Sequence, residues 1–150
     1  MANYVCASRT NYFTVNDERK WEEWFGCVCG AEDFTKTDED GTVWHGFGCY
    51  DSPWYSENGD EEDWDGDILC DRSLEKLQDM LPDDQAFVYI EAGNEKLRYV
   101  VGYVAVVTNQ SLEVVDLASW AYLKAEELLV KQNGPDFEFD RDGFRDNMDY

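Results

Sequence analysis

Apolar residues recur along the chain with two different periods, and the periods sketch its elements. Tyr4 to Ser8 and Tyr12 to Val15 read as extended segments, with a bend or bulge at Arg9-Thr10-Asn11. Asn16 stands where a helix cap is wanted, ahead of Asp17 and Glu18, whose carboxylates suit the positive end of the helix dipole. Trp21, Trp24, Phe25 and Val28 follow at i, i+3, i+4 and i+7, an amphipathic stripe. Gly26 and Gly30 leave the end of that helix open. Asp33 to Thr37 and Thr42 to Cys49 read as two strands joined by DEDG at 38–41, where acid and glycine suit a hairpin turn. Residues 50–67 show no period and read as an acidic loop.

The second half is more regular. Leu74, Leu77 and Leu81 share one face of a short helix that Pro82 stops. Gln85 to Ala92 is apolar on both faces, which predicts a central strand. Gly93-Asn94 predicts a turn, and Leu97 to Thr108, rich in Val and Tyr, is the strongest strand. Asn109-Gln110 turns the chain into Leu112 to Val115. Asp116 caps a helix with Leu117, Ala121, Ala125 and Leu128 along one side, and Asn133-Gly134-Pro135 ends it. The tail, 135–150, is acidic with Phe137, Phe139, Phe144 and Tyr150 interleaved.

The predicted order is β-α-β-β-α-β-β-β-α. Its first six elements match a split βαβ, ferredoxin-like order, which the added hairpin and last helix extend. The expected class is α+β: a mostly antiparallel sheet with helices on one face, in a single domain over 1–150. No internal repeat or linker divides it.

Composition changes this picture at one point. With 43% hydrophobic residues, 15% aromatic and six Trp, the chain is too apolar to be disordered. Its net charge of −22 is the outlier. Solubility asks for a magnitude of only about 2–8 in a small domain, and charge beyond that costs stability through self-repulsion. Halophilic adaptation fits poorly with five Cys and abundant large aromatics. Direct contact with DNA, RNA or an anionic membrane is disfavoured, because phosphates would be repelled. No apolar run reaches membrane-spanning length, and MANYVCASRTNYF lacks the basic start and apolar stretch of a signal peptide. A cytoplasmic protein with reduced thiols is expected.

Candidate chemistry is sparse. Cys27, Cys29, His45 and Cys49 are possible zinc ligands, but a single residue between the first two makes joint chelation awkward, and buried thiols are the simpler reading. From Glu138 the tail places acids at positions 1, 3, 5, 9 and 12 of a calcium loop (Glu138, Asp140, Asp142, Asp146, Asp149), with Gly143 at position 6. Arg145 at position 8 and the absence of a following helix depart from that pattern. A weaker D-x-D-G lies at Asp63, Asp65 and Gly66. Neither cofactor nor bound metal is expected. The only His is His45, and no nucleophile elbow, P-loop or dinucleotide fingerprint occurs, so no enzyme activity is expected.

The acid itself remains to be explained. The stretch ENGDEEDWDGD, residues 57–67, holds seven carboxylates in eleven positions and no base. Twenty-two charges are what about 37 Å of duplex carries, and a domain of this length is about 38 Å across. A basic protein with a nucleic-acid channel would be steered to such a surface and occupied by it. The expected partner-binding residues are Asp38, Glu39, Asp40, Glu57, Asp60, Glu61, Glu62, Asp63, Trp64, Asp65, Asp67, Asp136, Glu138, Asp140 and Asp142. Trp54, Tyr55, Trp64, Phe137 and Phe139 could serve among them as aromatic anchors. An immunity protein for a basic nuclease toxin and an acidic calcium-binding domain are the alternatives. In the bland alternative the acids simply face water.

Two segments, SRTNYFTVND at 8–17 and EAGNEKLRYVVGYVAVVT at 91–108, together with the acidic loop and tail, carry a resemblance. The chain resembles small acidic proteins of plasmids and phages of gut Gram-positive bacteria, of the DNA-mimicking anti-CRISPR and antirestriction type. The resemblance implies a bacterial host cell and a CRISPR–Cas complex or restriction nuclease as partner. It transfers no functional residue.

Overall fold

The computed structural model of the chain describes residues 4–58, 65–95 and 99–140. In chain order the elements are β1 (Val5–Thr10), α1 (Glu18–Gly26), β2 (Val28–Cys29), β3 (Glu32–Asp33), β4 (Lys36–Thr37), β5 (Val43–Trp44), β6 (Phe47–Cys49), β7 (Trp54–Tyr55), β8 (Gly66–Asp67), α2 (Asp71–Met80), β9 (Phe87–Glu95), β10 (Tyr99–Val107), β11 (Leu112–Asp116) and α3 (Leu117–Asn133). Six strands form the main sheet in the order β11-β10-β9-β1-β6-β3, every neighbouring pair antiparallel. The class is therefore α+β with a mostly antiparallel sheet, as the periods predict. Within it, β6 lies between β1 and β3, which is the gap a split βαβ leaves for a later strand.

Local chemistry moves several boundaries. The α1 cap is Asp17 rather than Asn16: its carboxylate accepts from the backbone N–H groups of Arg19 and Lys20. The expected bend at 9–11 falls later, because β1 runs unbroken to Thr10. The hairpin around 38–41 exists but is broken into two pairs, β4 with β5 and β3 with β6. Gly93-Asn94 does not turn the chain. β9 continues to Glu95, and Gly93 sits opposite both Cys6 and Val101. The segment 50–67 is not all loop, since β7 pairs with β2 and β8 in a small three-stranded sheet.

One face of the main sheet carries the core. Phe87 and Tyr89 of β9 and Ala105 and Val107 of β10 are paired in register there and fully buried. Trp21 and Trp24 of α1 and Leu74, Leu77 and Met80 of α2 close over them. Aromatic rings dominate: Phe13 meets Trp21 and Phe87 edge-on at 5.4 Å each. Trp24 is buried but not orphaned, because its Nε1 donates to the Ser73 carbonyl at 3.0 Å.

The helices are not all on that face. Gly102 pairs with Ala92, so it points away from the core, and a Cβ on it would fall 2.3 Å from Leu117 Cδ1. α3 therefore starts against the opposite face, at a glycine that leaves room for it. None of its residues is buried, against the expectation of a covered side at Leu117, Ala121, Ala125 and Leu128. Its apolar residues are spread around the helix rather than gathered on one side, so no orientation hides more than part of them.

Candidate functional site

The expected partner-binding acids sit on three separate elements. Asp38, Glu39 and Asp40 form the tip of the β4–β5 ribbon and are exposed. Two of them also shape it. Asp38 Oδ2 accepts from Trp44 Nε1 at 2.6 Å, and Asp40 Oδ1 accepts from the Thr42 N–H at 2.9 Å. That hydrogen bond holds the Asp40 carboxyl below the usual carboxylate range. Gly41, at φ 85°, supplies the left-handed residue that closes the turn.

The two feet of the acidic loop are fastened to each other and to α2. Asp65 Oδ2 accepts from the Glu57 N–H at 3.0 Å. Arg72 reaches Asp65 at 3.1 Å and Glu57 at 3.5 Å, and Lys76 reaches Glu57 at 2.8 Å. The bond to Glu57 raises the Lys76 pKa, so this lysine stays charged. Asp67 Oδ1 accepts from the Leu69 N–H at 2.7 Å, where the chain enters α2. Glu57, Asp65 and Asp67 are therefore partly committed within the fold. Asp60, Glu61, Glu62, Asp63, Trp64 and Asp142 lie outside the described residues.

The ion pairs leave a neighbouring row of acid untouched. Asp71, Glu75 and Asp79 stand at i, i+4 and i+8 on α2, all exposed, and none joins an ion pair among the described residues. Four helical residues advance ~6 Å, so the carboxylates form a regular line along the helix, beside Arg72 and Lys76 that hold the loop feet. In the sequence, the leucines dominate the period of this helix and its acids do not stand out. The signal was present, since the acids share the four-residue spacing on the opposite side. Among the acidic residues described, only Glu91 is buried.

The tail acids Asp136, Glu138 and Asp140 are exposed beyond the α3 cap. The aromatic anchors divide. Tyr55 is fully buried in the core and unavailable to a partner, Trp54 and Phe139 are half-buried, and Phe137 is exposed.

The possible zinc ligands are apart and otherwise engaged. His45 is buried, with Nε2 2.8 Å from Glu18 Oε2, Nδ1 3.2 Å from Thr35 Oγ1, and its ring 4.5 Å from that of Trp21. Cys27 Sγ donates to the Glu23 carbonyl, and Cys49 Sγ accepts from the Asp51 N–H. Among the described residues, no three His, Cys, Asp or Glu gather as metal ligands do. Of the calcium-like run, Asp142, Gly143, Asp146 and Asp149 lie outside the described residues.

Charge is unevenly shared. Residues 99–133, which hold β10, β11 and α3, carry four acids against two bases, so nearly all the net charge lies elsewhere. On the open sheet face beyond α3 is a mainly apolar trough of about 590 Å³, floored by Ala7, Val88, Ile90 and Ala92 and walled by Phe34. Among the described residues, no helix is long and apolar enough to cross a membrane. Compared with protein-family models, curated proteins and solved structures, the chain has no match in any of the three.

Proposed function

We propose that this chain is an acidic mimic of nucleic acid that occupies the DNA- or RNA-binding channel of a basic host-defence nuclease in a bacterial cytoplasm. A CRISPR–Cas complex or a restriction enzyme is the leading target. The observation that supports this most is the exposed row of carboxylates at Asp71, Glu75 and Asp79, none of them in an ion pair among the described residues. Like charges at i, i+4 destabilise a helix by ~0.2–0.5 kcal/mol per pair, so the fold keeps this row at a cost. An Arg- or Lys-lined channel that grips phosphates would meet carboxylates along one helix edge and at the loop feet. Glu57 and Asp65, tied to Arg72 and Lys76, then act mainly by anchoring the loop.

The test uses purified Cas effector complexes and restriction enzymes, with DNA binding measured at low and high salt. The wild-type chain should displace duplex DNA from a susceptible enzyme, more weakly as salt rises. Asp71→Lys, Glu75→Lys and Asp79→Lys together should weaken that displacement about tenfold or more. Displacement that survives the triple reversal unchanged, or an absence of displacement across the enzymes tried, would remove the proposal.

A further inference from the structure

The register of the main sheet brings together a second site, away from the acidic row. Ser8, Glu91, Tyr103 and Asp116 lie opposite one another on four successive strands and so share the core face. At this end of the core, the start of α2 and the chain around Pro53 stop short of the sheet. A cavity of about 280 Å³ remains, bounded by Tyr89, Glu91, Tyr103 and Val114 on one side and by Pro53, Asp67 and Leu69 on the other.

Glu91 is the unusual wall. It is 8% exposed, and its Oε1 accepts a 2.6 Å hydrogen bond from Tyr89 OH. Among the described residues, no Lys, Arg or His stands within ion-pair distance of it. A buried carboxylate without a cation carries a large desolvation cost. Burial and the Glu91 bond push the Tyr89 hydroxyl pKa up, so the phenol stays a donor and adds no charge of its own. The cavity thus offers one buried carboxyl group, two tyrosine rings and, at its rim, the exposed side chain of Asp67.

We propose that this cavity receives a guanidinium or ammonium group, paired with Glu91 and held against the rings of Tyr89 and Tyr103. Its volume lies just below the range usual for drug-sized ligands, which suits one side chain or a small organic cation. A cation against tyrosine faces gains further when desolvated. The group has two possible sources: an Arg or Lys of the basic partner, or a free small amine. The first source rests on the proposed function; the second stands without it.

The test is a titration of the full chain with ethylguanidinium chloride at constant ionic strength, followed by two-dimensional NMR. Saturable shifts centred on Tyr89, Glu91 and Tyr103 are expected, with Glu91→Gln weakening the affinity at least about tenfold. Val114→Trp, on the exposed edge strand, should fill the cavity and give the same loss without touching Glu91, which covers a Glu91→Gln chain that fails to fold. Shifts that never saturate and spread over all surface carboxylates, or full affinity in either folded variant, would overturn the site. Once cation binding is established, Glu91→Gln assayed on partner capture assigns the source. Weakened capture identifies a partner side chain, and unchanged capture identifies a free amine. The Asp71/Glu75/Asp79 reversal should leave ethylguanidinium binding intact, so its outcome bears on the proposed function alone.

Discussion

His45 and the cysteines show how much a residue's chemistry depends on its enclosure. The sole histidine beside a run of cysteines suggests a ligand set. In the fold both ring nitrogens are hydrogen-bonded, and the ring lies 4.5 Å from Trp21, which is how a structural imidazole is held. Cys6 and Cys49 are buried, and burial pushes both thiols above the ordinary cysteine value. A raised pKa means less thiolate at a given pH, and the thiolate is the reactive form. Alkylation of Cys6 and Cys49 by iodoacetamide at pH 8 should be at least ~10-fold slower than that of free cysteine. Urea should abolish the difference. Mass spectrometry of labelled peptides checks this; rapid labelling of either residue in the folded chain would contradict its enclosure.

Helix α2 does two jobs with opposite faces. Ser73, Leu74, Leu77 and Met80 are buried against the sheet and α1, while Asp71, Glu75 and Asp79 face water. The leucine side is legible in the sequence because burial and the helical period coincide. The acid side is equally periodic, but acid elsewhere in the chain is so abundant that the spacing does not stand out. Asp79 lies in the last turn, where the helix dipole disfavours an anion, and Glu75 is four residues from each of the other two acids. Glu75→Gln with Asp79→Asn should therefore stabilise the fold by ~0.5–1 kcal/mol at low salt, and by less at high salt. Urea denaturation at two salt concentrations measures it. A destabilised double variant would mean that these carboxylates make stabilising contacts of their own. α3 is the converse case. Its apolar residues promised a buried side, yet none of its residues is buried, although Gly102 leaves room for Leu117 against the sheet.

For the whole molecule, charge and topology divide the surface. The β10–β11–α3 end is nearly neutral, and the carboxylates are concentrated on the remainder. A net charge of −22 on one chain of 150 residues stores repulsion that salt relieves. The melting temperature should rise between 10 mM and 0.5 M sodium chloride by ~3 °C or more, which corresponds to ~1 kcal/mol in a domain of this size. Calorimetry reads this directly. A flat or falling profile would show that the acids are already neutralised, by internal pairing or by bound cations.

By itself the sequence determined the α+β class, the strand-rich second half, the leucine side of α2, the Asp116 cap and the excess of acid. Each depends on near neighbours in the chain: a period, a cap or a count. Only the tertiary structure decided that β6 slots between β1 and β3, that α3 crosses to the other face, and that Tyr55 is core while Glu57 and Asp65 are tied down. It also decided that Glu91 faces a cavity, with no Lys, Arg or His of the described residues in ion-pair distance. These features depend on strand register and on which elements cover one another. A shift of one residue in register would have turned Glu91 out to solvent, and no local pattern records that choice.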